Sequence, residues 1–254
     1  MVFSANYRDL VAFLLALSRT LGWLVVVPPF SSRRSIPTLA TVATGIGLAF
    51  LLAGRVPAAQ IPTSTIGLAG AVVLEALTGI ALGFLVALLV GTITAAGTFV
   101  DQMGGFNLPP SIDPLSLAQE PVLAQMYEQV MIVLLFVSGG YLVMVEGLAR
   151  SFAAPPLVLS SLGRLSRVLV VDLGTYFLSA LEMAAPLIAV LFTTQVVLGL
   201  LSRAAPQMNV WLLGLPLQIF LAVVIVAASF AVVPSLLTNV LTRALGDGLR
   251  VLGG

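Results

Sequence analysis

The sequence contains no histidine, no cysteine and no lysine. Without histidine and cysteine, the usual ligands of zinc, haem and iron–sulfur centres are missing. Ser-His and Cys-His nucleophile pairs are excluded for the same reason. Without cysteine there is also no disulfide framework. Charge is scarce: 8% of residues are charged, with 11 basic residues against 10 acidic ones, a net charge of +1. No basic block exists, so nothing points to nucleic acid. The only Gly-Asp-Gly, at Gly246–Gly248, lies in a polar tail, away from any apolar run that could bring two carboxylates face to face. These absences argue against an enzyme, and no cofactor or metal is expected.

What is present is apolar. The chain is 59% hydrophobic with a mean hydropathy of +1.14, whereas soluble domains carry about 25% charged residues. The expected fold class is all-α, a polytopic helical membrane protein. Six apolar segments are legible: Leu10–Val27, Thr38–Leu52, Ile66–Ala96, Val122–Ala149, Val168–Leu201 and Val210–Val233. A span needs about 20 residues, so the second is short. Met1–Asp9 lacks the features of a cleavable signal, because Arg8 is offset by Asp9 and Arg19 interrupts the run behind it. If all six segments cross in turn, the arginines sort unevenly and the positive-inside rule places both termini in the cytoplasm.

The chain is organised around Gly97–Pro121, which holds four of its 15 prolines and three of its 10 carboxylates. Pro109, Pro110 and Pro114 forbid continuous helix, and Gly104-Gly105 loosens the backbone before them. Unpaired backbone of this length must face water or line a protein cavity. Phe106, Asn107, Leu108, Ile112 and Leu115 are spaced among the prolines, and Asp113 is placed to fix the turn at Pro114. The residues from Gly104 to Leu115 are therefore candidates for a plug in a wet channel.

A second set of residues reads as interface. Arg19 near mid-helix costs about 2.5–3.5 kcal/mol on insertion scales, so it should face other helices and a carboxylate. Gly79 and Gly83 share one helix face and permit close approach of a backbone. Gln125 and Glu128 form a polar stripe with Gln129 beside it. Arg203, Pro206 and Gln207 stand in the turn before the last apolar segment. Glu75, Glu146, Asp172 and Glu182 lie within apolar segments, and intramembrane carboxylates are functional candidates by default. They keep open a reading of a different class, a small-solute or ion transporter. Pairing of these carboxylates with Arg19 or with polar neighbours is the favoured alternative.

In chain order, several blocks resemble one family. They are Pro28-Pro29-Phe30 through Arg34-Ser35-Ile36-Pro37, Gly79–Phe84, Gly97 through Gly104 with Asp113-Pro114 and Pro121-Val122-Leu123, and above all Leu198–Val210 followed by Gly214-Leu215-Pro216-Leu217. The chain resembles the FliR/SctT family of flagellar and injectisome export-gate proteins. Two positions depart from the family's pattern: Tyr141 follows Gly140 where flagellar members commonly have histidine, and Gln218 stands where many members have a basic residue. Ser138-Gly139-Gly140 and Ser151-Phe152 lean toward the SctT branch. Flagellar FliR is nevertheless the expected type, with SctT as the alternative.

The resemblance implies a FliP-like helical part over residues 1–201 and a FliQ-like hairpin and tail over 202–254, within a closed helical export-gate assembly. It implies FliP-like, FliQ-like, FlhB-like and FlhA-like partners, unfolded secreted proteins as substrates, and a place in the bacterial inner membrane. It also implies that residues 104–121 lie in the lumen as part of a plug.

Overall fold

A computed structural model describes residues 7–31, 36–58, 61–62, 64–104, 121–153, 159–207 and 210–229. Every regular element among them is helical: α1 (Tyr7–Val26), α2 (Thr38–Leu52), α3 (Thr65–Gly104), α4 (Val122–Val137), α5 (Gly140–Ser151), α6 (Leu159–Ala204) and α7 (Val210–Ser229), with one 3-10 turn at Ala53–Arg55 after α2. Four helices among the described residues are long and apolar enough to cross a membrane, or five if the bent pair α4–α5 counts as one span. Within the described residues, the apolar part of α7, Gly214–Ala228, falls in the shorter class. α3 is 40 residues long and α6 is 46. At 1.5 Å per residue they reach about 60 and 70 Å, twice the thickness of a hydrocarbon core.

Three boundaries differ from the sequence reading. α3 continues eight residues past Ala96, to Gly104. The expected fourth helix is broken, with a bend of 75° between α4 and α5. The break lies at Gly139, whose φ of +73° belongs to the left-handed region, where any side chain is strained. α6 begins at Leu159, nine residues before the apolar segment that starts at Val168, and so takes in Arg164 and Arg167. It accommodates Pro186 in its interior. The tail after Ser229 lies outside the described residues.

Gly139 offers a clean test of that break, because a Cβ there would meet nothing within 4 Å. Gly139→Ala therefore changes only backbone energy, about 1–2 kcal/mol. The thermal midpoint of the detergent-solubilised chain should fall by roughly 2–8 °C. An unchanged midpoint would mean that α4 and α5 straighten without cost.

The chain divides into two compact units. One holds the described residues up to Leu89 and between Leu135 and Leu173; the other holds those between Val90 and Leu134 and from Gly174 onward. In the first unit, α2 turns a stripe of mostly small residues inward, Thr41, Gly45, Ala49 and Leu52. Gly45 lies directly against the Leu21 side chain of α1. Its other faces stay apolar and exposed, with Leu39, Phe50 and Leu51 outward. An apolar exterior of this kind is normal where lipid is the solvent. Hydroxyls inside the helices bond back to the preceding turn, as Ser18 does to Leu14 O and Thr20 to Ala16 O, which satisfies them without a tertiary partner. In the second unit, α4 buries Leu123, Ala124, Tyr127 and Met131, while α6 buries Ala180, Ala184, Leu187 and Leu191. Both stripes follow the three-to-four residue spacing of one helix face.

Candidate functional site

In the first unit, α1 and α3 run side by side in close backbone contact. A Cβ added at Gly79 would overlap the carbonyl of Arg19 and the amide of Trp23. One at Gly83 would sit 2.7 Å from Trp23 O, and one at Gly22 would overlap Ala76 O. The Gly-x-x-x-Gly face is thus occupied by a helix of the same chain. Gly22 supplies the matching small position on α1, and the sequence reading had not singled it out.

This close approach brings Arg19 to Glu75, one turn before Gly79 on the same face. Both side chains are fully buried, and Arg19 Nε donates to Glu75 Oε2 at 2.5 Å. Arg19 Nη1 donates to the Ser151 carbonyl at 2.6 Å and to Ser151 Oγ at 3.2 Å. The guanidinium lies over the Phe152 ring, 4.5 Å from its centroid, a cation–π contact worth up to about 2 kcal/mol when desolvated. Nη2 has no hydrogen-bond acceptor among the described residues. One cation thereby joins α1, α3 and the end of α5. The expectation that Arg19 faces helices and a carboxylate is met within the chain. Ser151 and Phe152, read from sequence only as branch markers, complete its surroundings.

The cluster is built for holding. Ser151 Oγ donates its proton to Leu148 O at 2.6 Å, so the hydroxyl is tied back into its own helix. Glu75, 1% exposed, is out of reach of a passing solute. Glu146 pairs with Arg150 across one helical turn on an exposed face, where such a pair contributes little. Glu182 is exposed, and the side chain of Asp172 lies outside the described residues. Glu75 and Glu146 thus have separate arginine partners. Among the described residues, no group of three or more metal-ligating side chains forms either.

The second unit contains the other arrangement of note, where α3 ends and α4 begins. Asp101, fully buried, accepts the Leu123 amide at Oδ1 and the Ala124 amide at Oδ2, both at 3.0 Å. Gly97 lets the two helices meet, since a Cβ there would be 2.7 Å from Ala124 Cα. α6 closes the junction from another side: Gln195 Nε2 donates to Met103 O at 3.0 Å, and Phe177 meets Phe99 edge to face. Asp101, Gly97 and Gln195 were missed as positioning residues, because their partners lie 22 to 92 positions away.

Of the plug candidates, Gly104 is the buried last residue of α3. Gly105, Phe106, Asn107, Leu108, Pro109, Pro110, Ile112, Asp113, Pro114 and Leu115 lie outside the described residues. Gln125 and Gln129 are exposed, opposite the buried stripe of α4, and Glu128 is half-buried at the edge of that stripe. Arg203, at the end of α6, and Pro206 and Gln207 in the turn after it are exposed. Tyr141, one of the two departures, stacks on Phe136 across the break between α4 and α5, with ring centroids 5.5 Å apart.

Comparison with known proteins gives a consistent picture. The family described as bacterial export proteins, family 1, matches residues 10–244. Flagellar biosynthetic protein FliR of Bacillus subtilis is 29% identical over 241 residues, 90% of each chain. FliR of Escherichia coli K12 is 29% identical over 206 residues, covering 81% of this chain and 79% of that one. Surface presentation of antigens protein SpaR of Salmonella typhimurium is 31% identical over 191 residues, 71% of this chain and 67% of that one.

Proposed function

Since this chain belongs to the bacterial export proteins, family 1, we propose that it is a subunit of a type III secretion export gate, of the flagellar FliR type. The observation that carries this reading is the near end-to-end match with a flagellar FliR, 90% of each chain. The apolar, partly exposed helices support an integral membrane subunit, and we place it in the bacterial inner membrane. Its partners are FliP-like and FliQ-like subunits in one closed assembly, with FlhB-like and FlhA-like proteins on the cytoplasmic side. Its cargo is unfolded secreted protein, and its part is structural. The division into a FliP-like part and a FliQ-like hairpin near Ser202 belongs to the same proposal.

Within that assembly, residues 104–115 plug the resting channel. The proline pattern supports this, as does the anchoring of α3 to α4 on either side of the segment. Gln125 and Gln129, with half-buried Glu128 beside them, and exposed Arg203 and Gln207 suit contacts with neighbouring subunits. A planar, multiply donating Arg203 can fix a neighbouring helix end. The SctT branch is the second reading, favoured by Tyr141 in place of the flagellar histidine.

Co-expression with FliP-like and FliQ-like proteins tests both parts. The three should purify as one complex, more stable than this chain alone in detergent. A stable monomer that forms no complex would overturn the gate reading. The complex in lipid vesicles should retain small solutes. Deleting Phe106–Leu115 should leave assembly intact and let those solutes leak. A deleted complex as tight as the wild type would reduce the segment to a connector.

A further inference from the structure

The Asp101 carboxylate is taken fully out of solvent with no cation to neutralise it among the described residues; the ion pairs there join other groups. What it meets is the first turn of α4. The amides of Leu123 and Ala124 have no acceptor within their own helix, because the first four N–H groups never do. Left bare in an apolar interior, each would cost about 1–3 kcal/mol. Asp101 supplies one oxygen to each amide, and the positive end of the helix dipole favours its charge.

Ordinarily such a cap comes from the residue just before the helix. Here it comes from another helix, 22 residues earlier in the chain. α2 shows the contrast: its N-cap is Pro37, and no side chain caps it. Only a group that accepts on both oxygens fits. An amide in its place would aim two donors at an N–H.

We propose that Asp101 is the positioning residue that sets α4 in register against α3, so that the two helix ends bounding residues 105–120 are held by charge rather than by the segment between them. Gly97 allows the approach, Asp101 fixes it lengthwise, and Gln195 ties the last turn of α3 to α6. The carboxylate is thus required as a carboxylate.

Residue-resolved hydrogen exchange on the full chain in detergent tests this. In wild type, the Leu123 and Ala124 amides should exchange at least about tenfold more slowly than the Val122 amide, which Asp101 does not reach. In Asp101→Asn, one of the two should speed up by about tenfold or more, since a donor is left without an acceptor. Gln195→Ala should leave both unchanged. Equal exchange at Val122, Leu123 and Ala124 in wild type would overturn the proposal, and this needs no variant to fold. So would an Asp101→Asn chain that protects both amides as the wild type does. The measurement reads a local clasp, so it stands or falls separately from whether residues 104–115 block a channel.

Discussion

Gly79→Val should abolish recovery of folded chain from the membrane. A single Cβ at this position already overlaps the backbone of Arg19 and Trp23. Those atoms belong to the hydrogen-bonded ladder of α1, so they cannot swing aside as the end of a side chain could. Overpacking in cores typically costs about 1–3 kcal/mol and occasionally more, and a backbone clash belongs at the top of that range. Valine adds two further methyl groups to the same overlap. The same displacement would pull Arg19 off Glu75, one turn earlier on the same face of α3. Gly79→Ala should retain part of the yield with a lowered thermal midpoint. Gly91 is the control on the same helix, since a Cβ there meets nothing within 4 Å. Gly91→Ala should be neutral, or stabilising by up to about 1 kcal/mol from helix propensity. Size-exclusion chromatography of the extracted chains, followed by thermal unfolding, separates these outcomes. A Gly79→Val chain with wild-type yield and midpoint would mean that α1 and α3 do not touch.

What could be read from the sequence followed from local chemistry. α2 occupies Thr38–Leu52 in both readings, because Pro37 starts it and the Gly54–Pro62 stretch stops it. The all-α membrane class followed from apolar runs alone. The end of α3 could not be read this way. Gly97, Thr98, Asp101 and Gln102 look like a departure from helix, yet Gly97 is there for Ala124 and Asp101 for two amides of α4. Residues that argue for a loop locally are held in the helix by tertiary partners. The break at Gly139 was hidden for the opposite reason. The apolar run resumes beyond Ser138-Gly139-Gly140, glycine is frequent within membrane helices, and it is the positive φ that marks the break. For Arg19, the cost of burial required a carboxylate and did not say which one. Glu75 lies 56 positions away, and only the packing of α1 on the Gly79–Gly83 face selects it over Glu146, Asp172 and Glu182. The Gly-x-x-x-Gly face itself was legible as a contact surface, but its occupant was not, because a glycine face says nothing about which helix fills it.

The Arg19 cluster should show strong non-additivity, in a form that separates an ion pair from a larger unit. Removing one partner of a buried pair typically costs about 3–5 kcal/mol, because the other is left charged and dry. Arg19→Met should therefore be severe: it strands the Glu75 carboxylate, and it also deprives the Ser151 carbonyl of its donor. Glu75→Leu should be milder, since the guanidinium keeps Ser151 and the Phe152 ring. The double variant Arg19→Met with Glu75→Leu should be more stable than Arg19→Met alone, because the stranded charge is gone. It should still fall below wild type, because the Ser151 carbonyl remains without a donor, at about 1–3 kcal/mol. Exchanging the pair, Arg19→Glu with Glu75→Arg, keeps both charges and should fail to rescue. A carboxylate at position 19 would face the Ser151 carbonyl and the face of the Phe152 ring, both of which favour a cation. Arg19→Lys should be intermediate, because a point charge cannot serve Glu75 and Ser151 while lying flat on an aromatic ring. Thermal midpoints of the four members of the Arg19–Glu75 cycle, with the exchanged pair and the lysine variant, give the comparison. Additive midpoint shifts would mean the two residues act independently. Full rescue by the exchanged pair would mean that only the charges matter, and that Ser151 and Phe152 are bystanders.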